Sequence, residues 1–252
     1  MNDNTLATAA PTTTSSYILS KEDFDQYTTD WKEFAGQSGE TSLKDAFLTP
    51  GHTRLTALNF PLDRLQWLVS AVGVRQIRAR FLLMPGSARN QFNLALYATD
   101  DTGYQLSAYY LPDLYYTPSA SEALETKEDN MYMPIPQSLA ATWAEYWFGA
   151  SDITADMFTT YTTEHEPTTL EGYNFDVKDF VSILFGSGQN ISLGLGLHKY
   201  HSSTATSETE FTHTFGLVLQ APADAQAARV AGAVGGAARM DFDMAFPCPP
   251  GT

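Results

Sequence analysis

Cysteine is almost absent from this chain of 252 residues. The single one, Cys248, lies between Pro247 and Pro249. One thiol forms no intrachain disulfide and gives a metal at most one ligand, which excludes a disulfide scaffold and a multi-cysteine metal cage. This cysteine usage predicts a protein of the reducing cytoplasm.

Basic residues and long apolar runs are also scarce. Lys and Arg number 14 against 29 Asp and Glu, so the net charge is -15, which repels phosphate backbones and argues against nucleic acid as a partner. Runs such as Phe81-Leu82-Leu83-Met84 fall far short of the roughly 20 residues that cross a bilayer. Residues 1–16 lack the features of a secretory signal. We therefore expect no membrane association, and we interpret residues 1–16 as a disordered tail.

What the chain does contain is ample apolar side chain, 43% of all residues, arranged with clear periods. After Ser20, which is placed to cap a helix, apolar residues recur at helical spacing to about Phe34. A second helix is predicted over Gln137 to Phe148 and a short one over Thr154 to Thr163. Residues 119–130 are predicted to form an acidic, exposed helix or loop.

Residues 60–111 combine a helix with a hairpin. A helix is predicted after Pro61, and from Ile77 the period changes to the alternation of a strand. Two further strands, Gln91 to Ala98 and Tyr104 to Leu111, complete a predicted three-stranded meander. In the first strand, Arg78 and Arg80 share the face predicted to be exposed to solvent.

Residues 175–220 repeat this order. Asn174 is predicted to cap a helix, and alternating strands follow from Ile191 and from Phe211. The shared order suggests a degenerate duplication, although any two helix-and-hairpin units look alike at this level. We predict one α+β domain over 17–222, mainly antiparallel sheet from two helix-plus-hairpin units, with helices packed on one face.

Residues 223–252 differ in character from the rest of the chain. An Ala- and Gly-rich stretch predicts a flexible linker, and the alternation of Phe242, Met244 and Phe246 before Cys248 predicts a strand that docks on a sheet edge. The edge belongs either to the chain's own sheet or to that of a neighbouring molecule.

The hairpin Phe92 to Leu111 around Asp100-Asp101-Thr102-Gly103, the helix and strand from Pro61, and the closing Pro247-Cys248-Pro249-Pro250 carry a resemblance. Together they resemble a widespread group of uncharacterised bacterial proteins that end in a Cys-Pro-Pro motif. The resemblance implies architecture and no activity. Members often carry another cysteine after that motif, whereas this chain ends in Gly251-Thr252.

Catalytic and metal chemistry find little support in the sequence. His198, His201 and His213 are the only histidine cluster, but burying Leu197 with Phe215 places His198 and His213 on opposite sheet faces. No nucleophile elbow or phosphate loop is present. We therefore assign no catalytic residue, no metal ligand and no cofactor.

Two function classes follow. The leading one is a non-catalytic structural or protein-interaction protein that self-associates, with Phe242, Met244, Phe246 and Cys248 in the docking tail. The alternative is a hydrolase or ligand-binding module with a polar and aromatic sheet face. That face would use Arg78, Arg80 and Tyr109, with His198 as a further candidate.

Overall fold

We describe the fold from a computed structural model of the chain. The described residues are 17–37, 42–49, 51–86, 89–113, 115–116, 137–161, 166–187, 191–201, 211–220, 241–242 and 246–247. The predictions for residues 1–16 and 119–130, and for most of the linker, lie outside them.

Helices and strands alternate along the chain. The helices are α1 (Lys21–Ala35), α2 (Leu62–Val69), α3 (Gln137–Gly149) and α4 (Val177–Ser187), with 3-10 helices at Lys44–Phe47 and Ala155–Phe158. The strands are β1 (Ile18–Leu19), β2 (Ala57–Phe60), β3 (Gln76–Pro85), β4 (Asn90–Thr99), β5 (Tyr109–Tyr110), β6 (Tyr115–Tyr116), β7 (Thr159–Tyr161), β8 (Pro167–Thr169), β9 (Gly172–Asp176), β10 (Ile191–His201), β11 (Phe211–Gln220), β12 (Asp241–Phe242) and β13 (Phe246–Pro247).

The strands form two large antiparallel sheets and one small hairpin. The first sheet has the order β1-β5-β4-β3-β9-β13 and the second has the order β12-β11-β10-β2-β6, while β7 pairs with β8. Helices pack against both large sheets, so the predicted α+β class is confirmed.

One apolar core lies between the two sheets. It takes alternate side chains from each, such as Phe81 of β3, Leu195 of β10 and Phe215 of β11. The pairing of β10 with β11 sets Leu195 opposite Leu217 and Leu197 opposite Phe215, which confirms the predicted register. His198 and His213 therefore start from opposite faces of the second sheet.

Each large sheet carries one long helix on its outer side. Helix α1 lies against β3 and α3 lies against β10. Ser20 caps α1 as predicted, since its hydroxyl accepts a hydrogen bond from the Asp23 amide at 3.0 Å. Each helix also sends one tryptophan into the core, Trp31 from α1 and Trp147 from α3, and both are fully buried.

Three local predictions are wrong. Asn174 does not cap α4 because it lies within β9, and it is the Asp176 carboxylate that accepts from the Lys178 amide at the helix start. The helix predicted over Thr154 to Thr163 is a single 3-10 turn followed by β7. The strand predicted over Tyr104 to Leu111 shrinks to β5, because Asp100 holds the preceding residues in a turn. In each case a contact or turn replaced the regular element that periodicity favours.

The C-terminal strands pair within the chain. Strand β12 adds to β11 at the edge of the second sheet, and β13 adds to β9 at the edge of the first. Of the helices in the part of the chain that the structure describes, none is long and apolar enough to cross a membrane.

Candidate functional site

The outer face of the first sheet gathers three of the four predicted ligand-binding residues. Arg78 and Arg80 project to this side of β3, and Arg78 pairs with Tyr97 across β4. The guanidinium of Arg80 donates to the Asn174 side-chain oxygen at 3.1 Å and lies 5.9 Å from the Tyr97 ring centroid. Arg80 is 7% exposed, so the prediction that it faces solvent is wrong.

Helix α1 covers the apolar side chains of this face. Phe24 of α1 packs with Leu82, Ala95, Tyr97, Tyr109 and Leu111 in an apolar cluster on the outer face. The Phe24 and Tyr109 rings are stacked at 3.8 Å, and the Tyr97 ring meets Tyr109 edge-on at 5.1 Å. Helix α1 therefore covers Tyr97 and Tyr109 on this sheet face.

Tyr109 is part of this packed layer. Its hydroxyl donates to the Gln105 side-chain oxygen at 2.7 Å. Burial raises the pKa of the Tyr109 phenol, so the group stays protonated at neutral pH. The contacts are those of an aromatic side chain that anchors a helix to a sheet.

Arg78 lies beside the hairpin turn at residues 100–103. A Cβ atom on Gly103, where φ is +85°, would stand 2.7 Å from the Arg78 Nη2 atom. The Asp100 carboxylate accepts from the Thr102 and Tyr104 amides and from the Thr102 hydroxyl, and these bonds hold the pKa of Asp100 below its usual value. Because Gly103 has no side chain, the Arg78 guanidinium can lie against the turn at residues 100–103, which the Asp100 hydrogen bonds hold in place.

His198 lies on the other sheet, away from these three residues. Its imidazole is stacked on the Trp143 ring of α3, with centroids 3.9 Å apart and an interplanar angle of 20°. A Cβ on Gly196 would stand 3.0 Å from the Trp143 Cβ, and one on Gly216 would stand 2.3 Å from the His198 Nε2. The two glycines therefore create the shallow site that the two rings fill.

Burial controls the charge of His198. Within the described residues its Nε2 atom is buried without a hydrogen-bond partner. Removal from water lowers the pKa of the imidazole to about 4, so the side chain is neutral at pH 7. Nothing in the sequence identified Trp143 as the neighbour of His198.

One buried arginine, Arg64, was not predicted from the sequence. Arg64 of α2 is 4% exposed, donates to the Leu111 carbonyl at 2.5 Å and forms an ion pair with Asp113. Its guanidinium lies 3.9 Å from the Tyr17 ring centroid. Arg64 thus connects the start of the described chain to the segment after β5. The sequence did not indicate this, because adjacent Asp63 and Arg64 on an amphipathic helix are typical of an exposed, charged face.

The predicted docking tail lies at the edges of both sheets. Asp241 and Phe242 pair with Gln220 and Leu219, whereas Phe246 and Pro247 pair with Asn174 and Tyr173. These are main-chain pairings on sheet margins, the type of contact that an extended peptide makes when it adds to a sheet. Met244 and Cys248 lie outside the described residues.

Comparison with known proteins identifies no relative. No family model matches the chain, and no match is found among curated proteins or solved structures.

Proposed function

We propose that the chain is a non-catalytic structural or protein-interaction protein that self-associates, with its C-terminal segment as the docking element. The observation that supports this most is the pairing of β12 and β13 with the margins of two different sheets. Main-chain pairing of this kind does not depend on which molecule supplies the strand. A tail from a second copy would fit the same margins.

The length of the linker supports the same proposal. Gln220 and Asp241 are direct partners in the sheet, yet 20 residues lie between them, where a two-residue turn would suffice. The Ala- and Gly-rich sequence of this stretch predicts a flexible linker, and a flexible chain of that length has a root-mean-square reach of roughly 25 Å. That reach allows the tail to pair with its own sheets or with those of a neighbour.

The alternative of a ligand-binding sheet face is less favoured. Arg80 is buried and bonded to Asn174, Tyr109 is stacked on Phe24 of α1, and His198 lies on the other sheet. The cytoplasmic location expected from the single cysteine is part of the proposal.

Light scattering coupled to size exclusion tests the proposal. The full chain, of 27.7 kDa, should elute as an oligomer, and a chain lacking residues 223–252 should elute as a monomer. A full-length variant with Phe242→Pro and Phe246→Pro should also dissociate, because proline removes strand-pairing amides. The matched Phe242→Ala and Phe246→Ala variant keeps those amides and should retain more of the assembly. A monomeric full-length chain would overturn the proposal.

A further inference from the structure

The described chain divides into two units that present their elements in the same order. The first unit is 17–116 and the second is 137–247. Apart from β1, which precedes α1 and has no counterpart among the described residues of the second unit, each has a long helix, a 3-10 helix, a short antiparallel pairing, a strand, a second helix, a two-stranded hairpin and two two-residue strands. The short pairing is the bridge of Leu48 with Arg54 in the first unit and the β7–β8 hairpin in the second.

The units exchange strands. The strand before the second helix of each unit pairs with the hairpin of the other, so β2 adds to β10 and β9 adds to β3. Phe60 stands opposite Ile191 in one exchange, and Phe175 stands opposite Ile77 in the other. Each of the two large sheets is therefore built from both units.

The buried indoles show the same reciprocity. Trp31 of the first unit donates its ring N–H to the Leu170 carbonyl of the second at 2.9 Å. Trp147 of the second unit donates to the Leu55 carbonyl of the first at 2.7 Å. The two tryptophans are 116 positions apart in sequence and the two leucines are 115 apart.

Backbone hydrogen bonds also occur at corresponding positions, both between the two units and within each unit. The Phe81 amide donates to the Glu171 carbonyl at 2.9 Å, and the Leu195 amide donates to the Thr56 carbonyl at 2.8 Å. Inside the units, Leu55 bonds to Phe47 at 2.8 Å, as Leu170 bonds to Phe158 at 2.7 Å. Chance similarity of two helix-and-hairpin motifs does not account for bonds that correspond both within and between the units.

We infer that this chain is an internal dimer, in which two copies of one structural unit recognise each other through a strand-exchanged interface with approximate twofold symmetry. A twofold interface has the property that if residue i of one partner contacts residue j of the other, then j of the first contacts i of the second. The indole bonds and the strand exchange meet this condition. The partner for each unit is thus a second copy of itself, supplied by the same polypeptide.

The symmetry makes a specific demand on chain connections. The path from the end of β6 to the start of α3 must correspond to the path from the end of β13 back to the start of α1. Twenty residues, 117–136, connect the units in the natural order. Joining the chain ends would connect Pro247 to Lys21 through 25 residues, five from the C-terminus and 20 from the N-terminus.

A circular permutant of the full chain tests the inference. It runs from 137 to 252 and continues directly from 1 to 136, so its composition is unchanged. We expect the permutant to show the same far-ultraviolet circular dichroism spectrum as the natural protein and to melt within about 5 °C of the natural protein's melting temperature. The matched control is the full chain in its natural order, cleaved after folding at a protease site inserted between residues 117 and 136.

The cleaved control should keep its spectrum, with the two fragments co-eluting. A permutant that fails to fold while the cleaved protein stays folded would overturn the inference, because only the new connection differs. Fragments that separate or unfold would overturn it as well, because two partner units should hold together without a covalent link. Neither readout depends on oligomerisation of the whole chain, so the result is independent of the proposed function.

Discussion

His198 shows how one polar side chain is accommodated in a packed layer. It lies flat between the Trp143 ring and the backbone at Gly216, and both glycines beneath the rings are needed for that fit. The cost is electrostatic, because a proton on the imidazole would place a charge in a site that has lost its water. Lys199 and His213 lie on the opposite face of the same sheet, near Tyr146 of α3, and neither is an anion that could neutralise such a charge.

Acid should therefore weaken the fold through His198. The pKa is about 4 in the folded chain and 6.5 for an ordinary histidine, so the unfolded state binds more protons between these values. The resulting loss in the free energy of unfolding is absent above pH 6.5 and grows as the pH falls towards 4, where it reaches about 3 kcal/mol. Urea unfolding at several pH values should show this additional loss in the natural protein and not in His198→Gln. Parallel pH profiles for the two proteins would contradict the assignment.

Gly172 is a second position where one residue determines local structure. Its φ is +152°, and a Cβ there would stand 2.0 Å from the Ala79 carbonyl oxygen. Gly172→Ala should lower the free energy of unfolding by about 2–4 kcal/mol, because β9 has to shift away from β3. Gly149→Ala is the matched control, since open space surrounds that glycine and little change is expected. Chemical denaturation measures both, and an equal effect would disprove the steric argument.

At the scale of elements, periodicity predicted the helices and strands that are long enough to repeat their apolar spacing several times. Helices α1 and α3 and the long hairpin strands were found from apolar spacing, and the register of β10 and β11 followed from which faces must be buried. Strands β2 and β9 were missed because each pairs with a hairpin more than 90 residues away in sequence. Four or five residues of such a strand carry too little alternation to be recognised alone.

The candidate site was predictable to the same extent. Arg78, Arg80 and Tyr109 do share one face, as alternation and pairing require. The burial of Tyr109 was not predictable, because it depends on where α1 packs. The sequence of a helix shows that it has an apolar face, but it does not show against which sheet that face packs.

The two core tryptophans should respond alike to substitution. Trp31→Phe and Trp147→Phe each remove an indole N–H and leave a buried carbonyl, at Leu170 or Leu55, without its donor. We expect each to cost about 1–3 kcal/mol, with the two values similar. Trp67→Phe is the control because Trp67 is 52% exposed. Denaturant titration of the three variants measures the costs, and a large effect at Trp67 or a negligible one in the core would refute the expectation.

At the scale of the whole molecule, the C-terminal strands join the two sheets. Pairing at β12 and β13 involves four residue pairs, two on each sheet. Ending the chain at residue 240 should lower the free energy of unfolding by about 2–4 kcal/mol, because each lost strand bond contributes about 1 kcal/mol. Thermal melts of this chain and of the Phe242→Pro, Phe246→Pro variant should agree. Unchanged melting temperatures would show that the pairings contribute nothing to stability.

The described sheets end in very short strands: β1 and β13 on the first sheet, β12 and β6 on the second, each of two residues. Amyloid growth is templated by segments of six or seven residues with little charge. Edge strands of two residues offer few main-chain groups for pairing with another molecule, and the net charge of -15 makes molecules repel one another. Both features disfavour the formation of a fibril nucleus. A concentrated solution of the folded chain should consequently stay clear and bind little thioflavin, even where other β-rich proteins gel.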